Sequence, residues 1–150
     1  MDEIDKKILR ILQENAKQNT KEIAQQVGLT ISPTFERIRK LEQQGYVKAY
    51  VALLDEEKIG KPILAYCQVS LFKHSKALLE SFKEAIADIP EIMECLHVSG
   101  NYDFLLKVSV KNIDAYQQFA VDKLSVIEGI SHIQTSFVME TLKRSTAYRL

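Results

Sequence analysis

A chain of 150 residues accommodates one domain or two small ones, and 46% apolar residues supply a packed core and exclude a disordered chain. Twenty basic residues balance twenty acidic ones, so the chain lacks the overall positive charge common among nucleic-acid binders. The first fifty residues hold nine Lys and Arg against seven Asp and Glu. Attraction to a polyanion must therefore come from placement on one helix and from doubling in a dimer. No apolar run approaches the ~20 residues of a membrane span. The acidic start, Met1-Asp2-Glu3-Ile4-Asp5, does not read as a signal peptide. Cys67 and Cys95 lie in strand-like apolar segments and read as reduced core residues of a cytoplasmic protein.

Ile4, Ile8, Ile11 and Leu12 recur at helical spacing, with Asp2, Glu3 and Asp5 at the positive end of the helix dipole. A second helix is expected after Thr20 as N-cap, burying Ile23, Ala24 and Val27 and stopping at Gly28. A third starts from Thr30, carries Pro33 in its first turn and ends at Gly45. Its inward residues are expected to be Phe35, Ile38 and Leu41. Ser32, Pro33, Thr34, Glu36, Arg37 and Lys40 are expected to face outward, with Arg39 on the flank. Two short helices meeting at Gly28-Leu29-Thr30 form a helix-turn-helix pattern, which lays its second helix in the major groove of DNA. Guanidinium groups fork onto guanine or clamp phosphate, and short hydroxyls suit phosphate and close base contact. The competing structural reading is a solvated, charged helix in a three-helix cluster.

Residues 46–54 read as extended, and residues 55–62, with Gly60 and Pro62, as a connector. Strands are then expected at 63–72, 91–99, 103–110 and 130–139, and helices at 75–87 and 114–127. This βαββαβ order is ferredoxin-like, an antiparallel sheet with helices on one side. The open side would show Tyr66, Gln68, Ser70, His132, Gln134, Ser136 and Val138. Covering it with a second copy predicts a homodimer formed sheet to sheet, with the two-fold symmetry a helix-turn-helix uses on DNA. Ser99-Gly100-Asn101-Tyr102-Asp103 joins two strands and reads as a hairpin turn. It reads equally as the lip of a small-molecule pocket, Asp103 accepting from an ammonium and N–H groups near Gly100 donating to a carboxylate.

In that order these segments resemble the Lrp/AsnC, or feast/famine, family of transcription regulators, nearest its leucine-responsive branch. The likeness rests on residues 5–9, on 23–30 (Ile-Ala-Gln-Gln-Val-Gly-Leu-Thr), on 36–47 and on 94–108, and it covers nearly the whole chain. The resemblance implies an α+β protein. A winged-helix-like helix-turn-helix domain (1–47) is followed by a β hinge and linker (48–61), a ferredoxin-like effector domain of the kind called RAM (62–141) and a C-terminal tail (142–150). It implies a DNA-reading helix at 31–44, with Ser32, Pro33, Thr34, Glu36, Arg37, Arg39 and Lys40 at the DNA. It implies an effector loop of Ser99, Gly100, Asn101, Tyr102 and Asp103, completed by Thr135, Ser136, Phe137 and Val138 of a neighbouring subunit. The expected partners are double-stranded DNA, an amino-acid effector rather than a cofactor, and further copies, as an octamer of four dimers.

Three rivals compete with this reading. Siroheme decarboxylases look like this family and would need His97 and His132 lining one tetrapyrrole pocket. An architectural DNA protein would share the N-terminal features without an effector. Cys95 and His97, on one strand face, would be half of a metal site with no second pair at ligand spacing. No nucleophile elbow, phosphate loop or paired-carboxylate constellation supports catalysis.

Overall fold

Capping boxes fix where the first two helices begin. The computed structural model describes Met1–Leu150 and divides it into two units, Met1–Leu53 with Leu142–Leu150, and Leu54–Thr141. In the first unit α1 spans Glu3–Glu14, α2 Thr20–Val27 and α3 Ile31–Gln43. Asp2 and Asp5 form a capping box: the Asp2 carboxylate accepts from the Asp5 N–H at 2.8 Å, and the Asp5 carboxylate from the Asp2 N–H at 3.0 Å. Asn19 and Glu22 repeat the device on α2, so the cap is Asn19, one residue before the expected Thr20. Gly28 closes α2 at φ 74°, and the Leu29 N–H returns to the Ala24 carbonyl at 3.0 Å. A left-handed backbone there costs glycine little. Thr30 caps α3 by position, but its side chain makes no cap bond.

The three helices bury Ile8, Leu9, Ile23, Val27 and Leu41 together, with Ile4, Ile11, Leu12, Leu29, Ile38 and Val47 packed around them. Thr34 is fully buried and Phe35 is 52% exposed, the reverse of the sequence expectation. Thr34 stands seven residues before Leu41, only ~20° round the helix from it. Phe35 stands six before, ~120° away. The buried seam is therefore 34, 38 and 41. A threonine is tolerated there because its hydroxyl donates to the Thr30 carbonyl at 2.9 Å.

Residues 48–54 form no strand. A strand needs a ladder partner, and every strand of the chain belongs to residues 63 and beyond. Tyr50, Val51, Leu53 and Leu54 are left exposed. The C-terminal tail returns to α1. The Arg10 guanidinium donates to the Leu150 carbonyl, and Gln13 pairs with both backbone polar groups of Tyr148.

In the second unit β1 (Ile63–Leu71), α4 (Lys76–Ala87), β2 (Ile92–His97), β3 (Phe104–Val110), α5 (Ile113–Gln118) and β4 (Ile130–Phe137) follow the expected βαββαβ order. The sheet is antiparallel in the order β2-β3-β1-β4, as a ferredoxin-like arrangement requires. Cys67, Val69 and Leu71 of β1 and Phe104, Leu106 and Val108 of β3 bury against Phe82 and Ile86 of α4 and Phe119 and Leu124. Phe82 stacks on Phe104 with centroids 4.3 Å apart. The expected helix over 114–127 is α-helical only to Gln118 and continues as a π-helical stretch, Phe119–Leu124. The Ser125 N–H accordingly reaches back five residues, to the Ala120 carbonyl.

Gly129 enters β4 at φ 96°, buried, where a Cβ would overlap the Leu78 side chain. Gly129→Ala should lower unfolding stability by ~1–3 kcal/mol through strain alone, read as a shift in urea midpoint with unchanged slope. An unmoved midpoint would show that Leu78 and this turn yield freely.

Candidate functional site

On α3 the fold sorts the residues expected at DNA into three groups. Ser32, Pro33, Glu36, Arg39 and Lys40 are exposed. Arg39 and Lys40 carry no ion pair or hydrogen bond, so two full positive charges stand free on the outer side. Thr34 faces the core and cannot reach a base or a phosphate without unfolding the helix. Arg37 lies between these cases. Its Nη1 donates to the Asp2 carboxylate at 2.7 Å and to the Asp5 carboxylate at 2.6 Å, and its side chain is one third exposed. The same two aspartates cap α1, so one cluster starts that helix and ties α3 to it.

The electrostatics follow from this cluster. The Asp5 N–H, first, and then the Arg37 guanidinium hold the Asp2 carboxyl below the ordinary range, and the Asp2 and Asp5 carboxylates raise the Arg37 pKa in return. Sequence reading missed the arrangement because the partners are over thirty residues apart. A shallow groove of about 950 Å³ runs past Asp2, Asp5, Pro33, Glu36, Arg37 and Lys40.

In the second unit the loop after β2 is held by Asp103. Its N–H donates to the Val69 carbonyl at 2.9 Å. Its carboxylate accepts from the Leu71 N–H at 2.7 Å and from the His74 ring at 2.6 Å. Asp103 therefore fastens the loop to the end of β1 with two acceptor sites already engaged. That is a structural task beyond the ammonium contact expected of it. The N–H groups of Gly100, Asn101 and Tyr102 make no hydrogen bond, and Ser99, Gly100 and Asn101 are exposed.

The other expected effector segment is divided between two faces. Thr135 pairs with Cys67 and Phe137 with Ala65, on the helix side, whereas Ser136 pairs with Tyr66 on the open side. Val138 donates its N–H to the Leu64 carbonyl at 2.9 Å. Tyr116 of α5 holds the helix-side pair. Its hydroxyl hydrogen-bonds Thr135, its ring meets Phe137 edge-on at 4.8 Å, and burial pushes its phenol up to about 12, keeping it protonated at neutral pH. Phe104, next to the loop, pairs with Val69, four residues along β1 from the partner of Phe137. At ~3.3 Å per residue that is ~13 Å, before the width of β1 is crossed. Thr135 comes nearer, two residues along β1 from Val69, and β1 stands between the loop's strand β3 and β4.

His97 and His132 do not converge either. His97 pairs with Phe104 on the helix side of edge strand β2, and His132 with Ser70 on the open side of edge strand β4. The tetrapyrrole reading required both in one pocket.

A three-helix unit presenting free cations on its third helix and, in the same chain, a ferredoxin-like sheet fit the class of DNA-binding regulators with a separate ligand domain. Comparison with known proteins specifies it. Residues 1–48 match the winged helix-turn-helix DNA-binding model, and residues 64–148 match the Lrp/AsnC ligand binding domain. The Bkd operon transcriptional regulator of Pseudomonas aeruginosa is 37% identical over 147 residues, covering 98% of this chain and 96% of its own. The leucine-responsive regulatory protein of Escherichia coli K12 is 34% identical over 145 residues, covering 97% and 88%. The crystal structure of a Neisseria meningitidis transcriptional regulator in complex with L-Met superposes with a TM-score of 0.95 at 32% identity, covering 99% of this chain and 96% of that one. The chain belongs to the Lrp/AsnC family of DNA-binding transcriptional regulators.

The Asp2–Arg37 contact has a pH signature. Asp2 has a folded pKa below its unfolded value of ~3.9, so its contribution to stability is present above that value and is lost as pH falls through the folded one. Arg37→Ala should lower the melting temperature at pH 7, and the gap to wild type should close below about pH 4. A gap constant down to pH 2 would mean that Arg37 acts by packing rather than by charge.

Proposed function

We propose that this chain regulates transcription in response to an amino acid, acting by binding rather than by catalysis. The observation that carries the reading is its likeness, over nearly the full chain, to a regulator solved with L-Met and to leucine-responsive relatives. Residues 1–47 serve as the DNA-binding domain, 48–61 as linker, 62–141 as effector and assembly domain and 142–150 as tail. Ser32, Pro33, Glu36, Arg39 and Lys40 face the DNA, with Glu36 suited to accept from a cytosine amino group and the two cations to phosphate or guanine. Arg37 orients α3 through Asp2 and Asp5.

The effector lies against the loop Ser99, Gly100, Asn101, Tyr102 and Asp103 of one copy and the segment Thr135, Ser136, Phe137 and Val138 of another. The free loop N–H groups suit a carboxylate. The separation of the two segments within one chain supports a site shared between copies. The working particle is a homodimer that assembles further, to an octamer of four dimers, in the cytoplasm. The absence of any helix long and apolar enough to cross a membrane accords with that placement.

L-Met or L-Leu at a hundredfold over its Kd should stabilise the protein by ~2.7 kcal/mol and change the molar mass measured by light scattering. A screen of all twenty amino acids with neither effect would remove the sensing half of the proposal. Arg39→Ala should weaken DNA binding by ~1–3 kcal/mol if its guanidinium forks onto guanine. Electrophoretic mobility shift on a DNA selected by the protein measures it, and unchanged affinity would take Arg39 out of the interface.

A further inference from the structure

We infer that Phe35 reads thymine, its phenyl ring packing against the 5-methyl group in the major groove. The inference rests on the family's DNA-binding role. It begins from a residue on the wrong side for a core aromatic. Phe35 is 52% exposed on a helix whose seam is filled by Thr34, Ile38 and Leu41. Ile31, four residues earlier, is also 52% exposed. Side chains four apart stack along a helix surface, so Ile31, Phe35 and Arg39 form one ridge, apolar at its N-terminal end and cationic beyond.

That ridge continues the DNA face rather than lying apart from it. Ser32 and Glu36 flank it, and both are exposed. A recognition helix touches base edges mainly with its N-terminal residues, and Phe35 is the fifth residue of α3. A phenyl ring offers no hydrogen bond to the donors and acceptors of a base edge. The only apolar group that a base displays in the major groove is the thymine methyl. Water leaves both surfaces when they meet, which gives an otherwise exposed ring a reason to stand there.

The test uses the full chain and a duplex it has selected from a random library. Thymidines of the selected site are replaced one at a time by deoxyuridine, which pairs identically and lacks only the methyl. Wild type should lose affinity about fourfold at one or more positions, the effect of ~0.8 kcal/mol for one buried carbon group. Phe35→Ala should bind more weakly and show no loss at those same positions, and Phe35→Leu should keep part of it. A melting temperature near wild type for both variants checks that the helix is intact.

Wild type indifferent to every methyl, or a Phe35→Ala protein that keeps the full methyl dependence, would overturn the inference. So would a Phe35→Ala protein with lower molar mass and intact methyl dependence, since another copy would then cover the ring. Failure of wild type to select or bind any duplex would instead count against the DNA-binding role itself.

Discussion

The seam that α3 buries determines everything this helix can offer to DNA. Thr34 and Leu41 point into the three-helix core, so the outward arc is fixed by rotation alone: Ser32, Glu36 and Arg39, with Phe35 and Lys40 at its sides. Turning α3 by one residue, ~100°, would bury Phe35 and expose Thr34. Two polar devices hold the rotation. The Thr34 hydroxyl is satisfied by the Thr30 carbonyl, which makes a polar residue acceptable in the seam. Arg37 is anchored to Asp2 and Asp5 on the other flank. The outward face of α3 is thus set partly by residues that do not belong to it.

In the second unit β1 plays the corresponding part. It pairs with β3 on one edge and β4 on the other, and it receives the Asp103 side chain at its end. The two segments assigned to the effector lie on opposite edges of this strand, residues 135–137 paired along its first half and the loop fastened at its far end. A ligand that took the loop from one copy and the 135–138 segment from another, as proposed, would lie between copies. Ligand binding and assembly would then be one equilibrium, which is how a small molecule can alter the spacing of DNA-binding units without deforming any one chain. Tyr116 would join that equilibrium from behind, because it grips Thr135 and Phe137 from the helix side.

Hydrophobic periodicity made the element order legible. Alternation over residues 63–71 and 104–110 marked strands with one buried face, and Gly28 marked the turn between α2 and α3. What stayed hidden depends on information that periodicity does not carry. Phe35 looked like core because it is apolar, and Thr34 looked like surface because it is polar. Only helical angle, counted from Leu41, separates them. The aromatic and β-branched run at 46–54 reads as a strand, but composition cannot supply the ladder partner. The π-helical stretch leaves the same apolar spacing as an α-helix over so short a span. Arg37 reads as a free cation until the fold brings Asp2 and Asp5 beside it, and Asp103 reads as a free acceptor until Leu71 and His74 are seen to use it.

Charge bounds how this protein can hold DNA. The chain has no net charge, and of the three cations on the third helix one is neutralised by two aspartates. That leaves Arg39 and Lys40 as the free cations of the helix in each copy. Affinity falls with salt at a slope near −0.9 per phosphate neutralised. The third helix by itself therefore draws little sequence-independent attraction from one copy. Tight binding would then draw on base-edge contacts, polar and apolar, and, in the proposed assembly, on several copies engaging one duplex together. In such an assembly, a ligand that changed the number of copies held together would be felt as a multiplied change in grip on DNA.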